Sequence, residues 1–271
     1  QGGGRKGLPQ SFLNRFTKVY VEAFKEEDLI FITTAMYPSF PPLLVEKMVR
    51  FNCRMHRDSM VEGKFARVGS PWEFNLRDIF RWCDLLLRCS PAPVWGPRKE
   101  TETAPAEEAQ VDLAAQFVDI LYSQRMRTDK DRDYVSGLFL EVMGRPLPQV
   151  GHGGQYFTVT PHSVQVGQVV LPRVQQSPSW AEGGKLLLQA TMPALEALMR
   201  CVEMNWMAIV LGPPASGKTS LVHYLAQVVG KELQQFSMNS SVDTTELLGG
   251  FEQVDASRRE REIAPLLESV V

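Results

Sequence analysis

The stretch V210-L-G-P-P-A-S-G-K-T-S220 decides how the rest of the chain is read. Gly212, Gly217, Lys218 and Thr219 match GxxxxGK[ST] without a mismatch, with Pro213, Pro214, Ala215 and Ser216 between the glycines and Ser220 after them. Each residue type has a task. The glycines let the backbone curl so that its N–H groups face phosphate oxygens. Lys218 reaches the β and γ phosphates of ATP, and the Thr219 hydroxyl suits Mg²⁺ held through the nucleotide. By composition, a chance match in a chain of this length has a probability on the order of one in a hundred. The flanks sharpen it: "WMAIVL" reads as a buried strand and "SLVHYLAQVVGKEL" as an amphipathic helix, the setting the motif requires. The plainer alternative is a Gly-rich turn that binds nucleotide without hydrolysing it.

Hydrolysis asks for more than a phosphate loop. An acidic residue at the end of a later strand normally holds Mg²⁺, and a polar group orients the attacking water. After Thr219 no apolar run ends in adjacent carboxylates: "QQFSMN" ends in Asn239, and Asp243, Glu246, Glu252 and Asp255 read as loop or cap residues. The expectation is Mg²⁺-dependent nucleotide binding by this chain and no multiple turnover by it alone.

Composition sets the outer bounds. Of 271 residues, 44% are hydrophobic and 22% charged, ordinary for a globular protein and against wholesale disorder. A net charge of −2 offers no electrostatic footprint for sequence-specific nucleic-acid binding. The longest apolar runs, such as "MAIVL", are too short to cross a membrane. Cys53, Cys83, Cys89 and Cys201 form no CxxC pair, and no HExxH is present, so neither a disulfide framework nor a metal centre is expected.

The remaining pattern falls into three regions. Residues 1–24 open on a Gly and basic loop and run into the strand-like "TKVYVEAF". Residues 25–145 read as an all-helical unit with a mobile Pro/Ala/Glu-rich linker at about 89–110. Within it "EEDLIFITTAMY" has an acidic first turn and closes at Pro38. "PPLLVEKMVRFNCRMH" places Leu44, Lys47, Met48, Phe51 and Met55 at helical spacing. In "SPWEFNLRDIFRWCDLLLR", Ser70 is the expected N-cap, with Pro71 in the first turn and Glu73 three residues on. Val111, Ala114, Ala115, Phe117, Val118 and Leu121 make one apolar face, and Gly144 and Pro146 end the region. From 146 to 271 the period changes. "QYFTVTPHSVQVGQVVLPRV" alternates like strands, a helix "LLLQATMPALEALMRCVEMNW" follows, and then come strand, phosphate loop, helix and the strand "KELQQFSMN".

Joined to the phosphate loop, "MNSSVDTTELLGGFEQVD" (238–255) resembles the midasin family of dynein-related AAA+ ATPases. The opening "GRKGLPQSFLNRF" resembles the end of a preceding AAA+ module, where NRF carries an arginine finger, which would be Arg15. "SPWEFNLRDIFRW" resembles the lid helix bearing a sensor arginine, which would be Arg77, with Arg81 in reserve. Without the resemblance Arg15 reads as a surface arginine at a helix end, and Arg77 and Arg81 as a solvated face with Asp78. The resemblance implies an α/β fold, an incomplete P-loop AAA+ large subdomain preceded by an all-helical lid, spanning two consecutive modules of one ring-forming polypeptide. It implies ATP and Mg²⁺ as cofactors and neighbouring AAA+ modules as partners. It also implies ATP-driven remodelling of pre-60S ribosomal particles with release of WD-repeat assembly factors, in the nucleolus and nucleoplasm of the nucleus. A dynein or MoxR-type ATPase is disfavoured by Asn239 to Gln253. A nucleotide-holding clamp that does not hydrolyse is the alternative from another class.

Overall fold

In a computed structural model, residues 14–17, 19–89, 107–148, 157–174 and 188–237 are described. The chain divides into two compact units, 1–231 and 232–271, and the following concerns the first. The segment 238–255 lies outside the described residues, as does most of the expected linker. Residue 89 still belongs to a helix, and 107–110 already form the first turn of the next.

Helix α1 (Glu26–Met36) starts with Glu26, Glu27 and Asp28 against the positive end of its dipole, and the Asp28 carboxylate accepts the Lys25 N–H at 2.9 Å. Helix α2 (Pro42–His56) has proline in its first turn, where no donor is lost, and buries Leu44, Val45, Met48, Val49, Phe51 and Met55. It runs on into a π turn, Arg57–Val61. Helix α3 (Leu76–Cys89) buries Ile79, Trp82, Cys83, Leu85 and Leu86. Helix α4 (Glu107–Ala115), the short α5 (Val118–Leu121) and α6 (Asp129–Met143) complete the helical unit. Gly144, at φ 77°, stops α6 by donating its N–H to Leu140 O.

The centre of this core is aromatic. The Phe51 ring meets Trp82, Tyr122 and Phe139 edge to face at 5.8, 5.1 and 5.6 Å. The polar tips inside it are satisfied: Trp82 Nε1 donates to Ala114 O at 2.9 Å and the Tyr122 hydroxyl to Asn52 Oδ1 at 3.0 Å.

Helix α3 does not start where Ser70 and Pro71 suggest. It begins at Leu76, and the cap is Asn75, whose Oδ1 accepts the Arg77 N–H at 2.9 Å while Asp78 Oδ2 accepts the Asn75 N–H at 3.1 Å. Two anchors hold 71–75 out of the helix. Trp72 Nε1 donates to Ala66 O at 2.6 Å, and Phe74 is buried. These two bonds satisfy the N–H groups of Arg77 and Asn75 at the start of the helix.

The second core begins with an antiparallel meander of β1 (Phe157–Val159), β2 (Ser163–Val166) and β3 (Val169–Pro172). Val166 pairs Val169 across the turn, and Val164 pairs Leu171. Val164, Val166, Val169 and Leu171 pack on α7 (Met192–Glu203) and α8 (Lys218–Val229) through Met192, Leu195, Met199, Leu221, Leu225, Val228 and Val229. The hairpin turn is tied to α7: Gly167 sits at φ 55° and the Gln168 N–H donates to Glu196 Oε1 at 3.0 Å. A Cβ on Gly167 would stand 2.6 Å from that same Oε1. Gly167→Ala is therefore expected to cost roughly 1–2 kcal/mol in a urea titration, backbone strain adding to the displaced carboxylate. A loss below a few tenths would contradict this.

Three strand expectations need correction. Residues 19–24, 207–211 and 231–237 are not strands in the structure. Met207, Ile209 and Leu211 are 97%, 87% and 71% exposed, all on one side of the alternation, and Val19, Tyr20 and Val21 are likewise exposed. An apolar run carries strand propensity, but a strand exists as a hydrogen-bonded ladder, and no described segment supplies the partner. The α/β class stands: a helical unit is followed by one that joins a three-stranded sheet to helices and carries Gly212 to Ser220.

Candidate functional site: the phosphate loop and its arginines

Gly212 to Gly217 makes a tight return that delivers the chain into α8. Ala215 and Gly217 both take left-handed backbone angles, φ 61° and 79°. Glycine adopts that conformation freely, whereas Ala215 holds it against its own Cβ. Because Pro213 and Pro214 have no N–H, the loop's donors come from Ala215 onward and from the first turn of α8 at Lys218, Thr219 and Ser220. A Cβ at Gly212 would come within 3.0 Å of Ser216 Oγ and 3.6 Å of Lys218 Cδ, so a side chain there would close the cradle.

Lys218 arches across the mouth. Its Nζ donates to Pro213 O at 2.7 Å and Gly212 O at 3.0 Å, with Ser216 Oγ at 3.4 Å. The donors of the first turn of α8, the positive end of its dipole and the Lys218 ammonium group lie together at this exposed loop, a combination that suits polyphosphate. Thr219, on the first turn of α8, is exposed, as a hydroxyl serving a hydrated cation must be. These residues fit ATP with Mg²⁺. Asp243, Glu246, Glu252 and Asp255 lie outside the described residues.

The arginines are distributed differently. Arg15 is exposed in a turn at 14–15, and Arg77 is exposed in the first turn of α3. Among the described residues no hydrogen bond or ion pair joins either of them to the phosphate loop. Arg81 packs over the Trp206 ring, 5.4 Å from its centroid. Spacing could not reveal Arg125. Its guanidinium bonds Asp78 Oδ1 at 3.2 Å and Glu73 O at 2.7 Å, and lies 4.7 Å from the Phe74 centroid. It thereby holds both sides of the turn that presents Arg77.

Arg200 on α7, a buried cation, was also invisible to spacing. It pairs with Glu203 at 2.6 Å, donates to Cys89 Sγ at 3.0 Å and faces the Phe117 ring at 5.6 Å. Burial pushes the Cys89 and Cys201 thiols above their usual value, although Arg200 and Arg81 respectively pull the other way. Both thiols stay protonated at neutral pH.

Comparison with known proteins bears on the same region. The midasin AAA lid domain profile matches residues 28–146. The midasin of Dictyostelium discoideum is 42% identical over 291 aligned residues, covering 100% of this chain, and that of Giardia intestinalis is 32% identical over 271, covering 94%. The chain spans 5% of the length of each of these relatives.

Proposed function

Because the chain belongs to the midasin family of AAA+ proteins, we propose that its phosphate loop, Gly212 to Ser220, holds Mg²⁺-ATP within a ring of AAA+ modules. The observation that carries this reading is the cradle itself: left-handed backbone at Ala215 and Gly217, a glycine at 212 where a Cβ would close the loop, and Lys218 poised across it. Bound nucleotide would supply a phosphoryl group whose transfer to water drives movement of the ring. Lys218 and the backbone donors bind and orient the phosphates, and Thr219 completes the cation's shell. Arg15 serves as a finger toward a neighbouring module's nucleotide and Arg77 as the sensor of its own lid. Their exposure supports this, since a group that acts across a joint must be free to reach. In the whole protein this activity remodels pre-60S particles and releases WD-repeat assembly factors in the nucleus.

The test is calorimetric titration of the chain with ATP, with and without Mg²⁺. Saturable binding that weakens when Mg²⁺ is chelated is expected, without sustained phosphate release. Absence of binding would refute the reading of the loop, and sustained release from pure chain would refute the shared site.

A further inference from the structure

Helix α7 joins the lid to the phosphate loop, and its exit is set by a specific stop. Asn205 takes the left-handed conformation at φ 55° and donates its N–H to Val202 O at 3.2 Å, while the Trp206 N–H reaches back to Cys201 O at 2.8 Å. This is the paired 5→2 and 6→1 bonding of a Schellman stop, with asparagine in the place glycine usually fills. It fixes where the Trp206 backbone leaves the helix. Five residues, 207–211, separate it from Gly212.

The lid holds the side-chain half of the same junction. Trp206 and Met204 pack against the lid core, and Arg81 covers the Trp206 ring. Gln124 Nε2 donates to Pro193 O at 3.2 Å at the other end of α7, and Arg200 is buried between Cys89 and Phe117. Helix α7 is thus gripped near its start, near its last turn and at its exit. Arg81 also stands four residues after Arg77 on α3, so the two share one face, one turn apart. One helix therefore joins Arg77 to the arginine that covers Trp206.

We propose that Arg81 and Trp206 are positioning residues that couple the lid helix bearing Arg77 to the phosphate loop, so that nucleotide affinity at Lys218 depends on their contact. The inference rests on the loop binding Mg²⁺-ATP and deepens that reading by naming what regulates it. A cation over an indole is the attractive part of the contact, and its loss lets the lead-in to Gly212 move against the lid.

The experiment is Mg²⁺-ATP titration of the full chain carrying Arg81→Ala, Trp206→Ala, both together, or Arg81→Lys, with thermal unfolding measured on each. Either alanine change is expected to raise the ATP Kd about three- to tenfold. The double variant should be no weaker than the worse single one, because both remove the same contact, and Arg81→Lys should fall between wild type and Arg81→Ala. Unfolding midpoints of the Arg81 variants should stay near wild type, whereas Trp206→Ala gives up packing on the lid core and should unfold earlier; ATP should alter a tryptophan fluorescence signal that Trp206→Phe removes. If wild type binds ATP and the variants bind equally well, the coupling is refuted and the nucleotide reading stands. Losses that multiply in the double variant, or losses in the Arg81 variants that follow their unfolding midpoints, also refute it. If wild type fails to bind, both fall.

Discussion

Replacing Lys218 by alanine should weaken Mg²⁺-ATP binding by on the order of a hundredfold while barely moving the thermal midpoint. The two effects separate because of where the ammonium sits. Its partners, Pro213 O, Gly212 O and Ser216 Oγ, belong to an exposed loop, and water replaces the lost donor at little cost. Polyphosphate has no such substitute. A charge-assisted bond contributes about 1.5–3 kcal/mol, and an ammonium shared between two phosphate oxygens contributes at the upper end or beyond. Lys218→Arg keeps the charge on a planar group that the narrow cradle beneath Gly212 does not match, so it should recover only part of the affinity. Equal Kd values for wild type and Lys218→Ala would mean that nucleotide, if bound, is held elsewhere.

The turn from Gly212 to Gly217 and the helix it opens were legible because their signal is local. Gly212, Gly217, Lys218 and Thr219 act within eight residues, and the left-handed angle at Gly217 belongs to that spacing. The apolar faces of α2 and of α4–α5 were legible for the same reason, since helical period needs no knowledge of the partner. Strand pairing does need it. Met207, Ile209 and Leu211 have strand propensity, yet they stand exposed without a ladder. The start of α3 was misplaced because the deciding contacts are tertiary: Trp72 to Ala66, and Phe74 into the core under Arg125. Ser70 and Pro71 satisfy every local rule for a helix start and are overruled. Arg81 shows the middle case. Its helix face was visible, but its partner Trp206 lies 125 positions away, and only the fold brings them together. Arg15 and Arg77 were singled out by family resemblance alone, since exposed arginines at a turn and in a first helical turn carry no local signal.

Asp58 should prove the most costly single charge to remove from the lid, at about 3–5 kcal/mol for Asp58→Ala by urea unfolding at neutral pH. It has no exposed surface and stands in the π turn, where three parts of the fold converge on it. Lys64 Nζ lies at 3.2 Å, the Tyr134 hydroxyl of α6 donates at 3.1 Å, and Arg54 Nε of α2 lies at 3.5 Å. Arg54 reaches on to Glu141 at 3.1 Å, so the carboxylate fastens α2 to α6 through both a neutral and a charged partner. Burial alone would raise its pKa, but the bonds from Lys64 and Tyr134 and the charge of Arg54 outweigh it and hold the carboxyl below its ordinary value. The sign follows from that depression. The stabilisation is complete above the unfolded value, near about 3.9, and fades as pH falls through the lower folded one. Asp58→Asn keeps the shape and an acceptor for Tyr134 but loses the charge. The stability gap between wild type and Asp58→Asn should therefore be wide at pH 7 and narrow progressively below about pH 4. A gap that stays constant from pH 7 to pH 3 would show that packing, not charge, makes Asp58 necessary. A cost under about 1 kcal/mol for Asp58→Ala would show that Arg54 and Lys64 rehydrate freely and that the lid needs no buried anion.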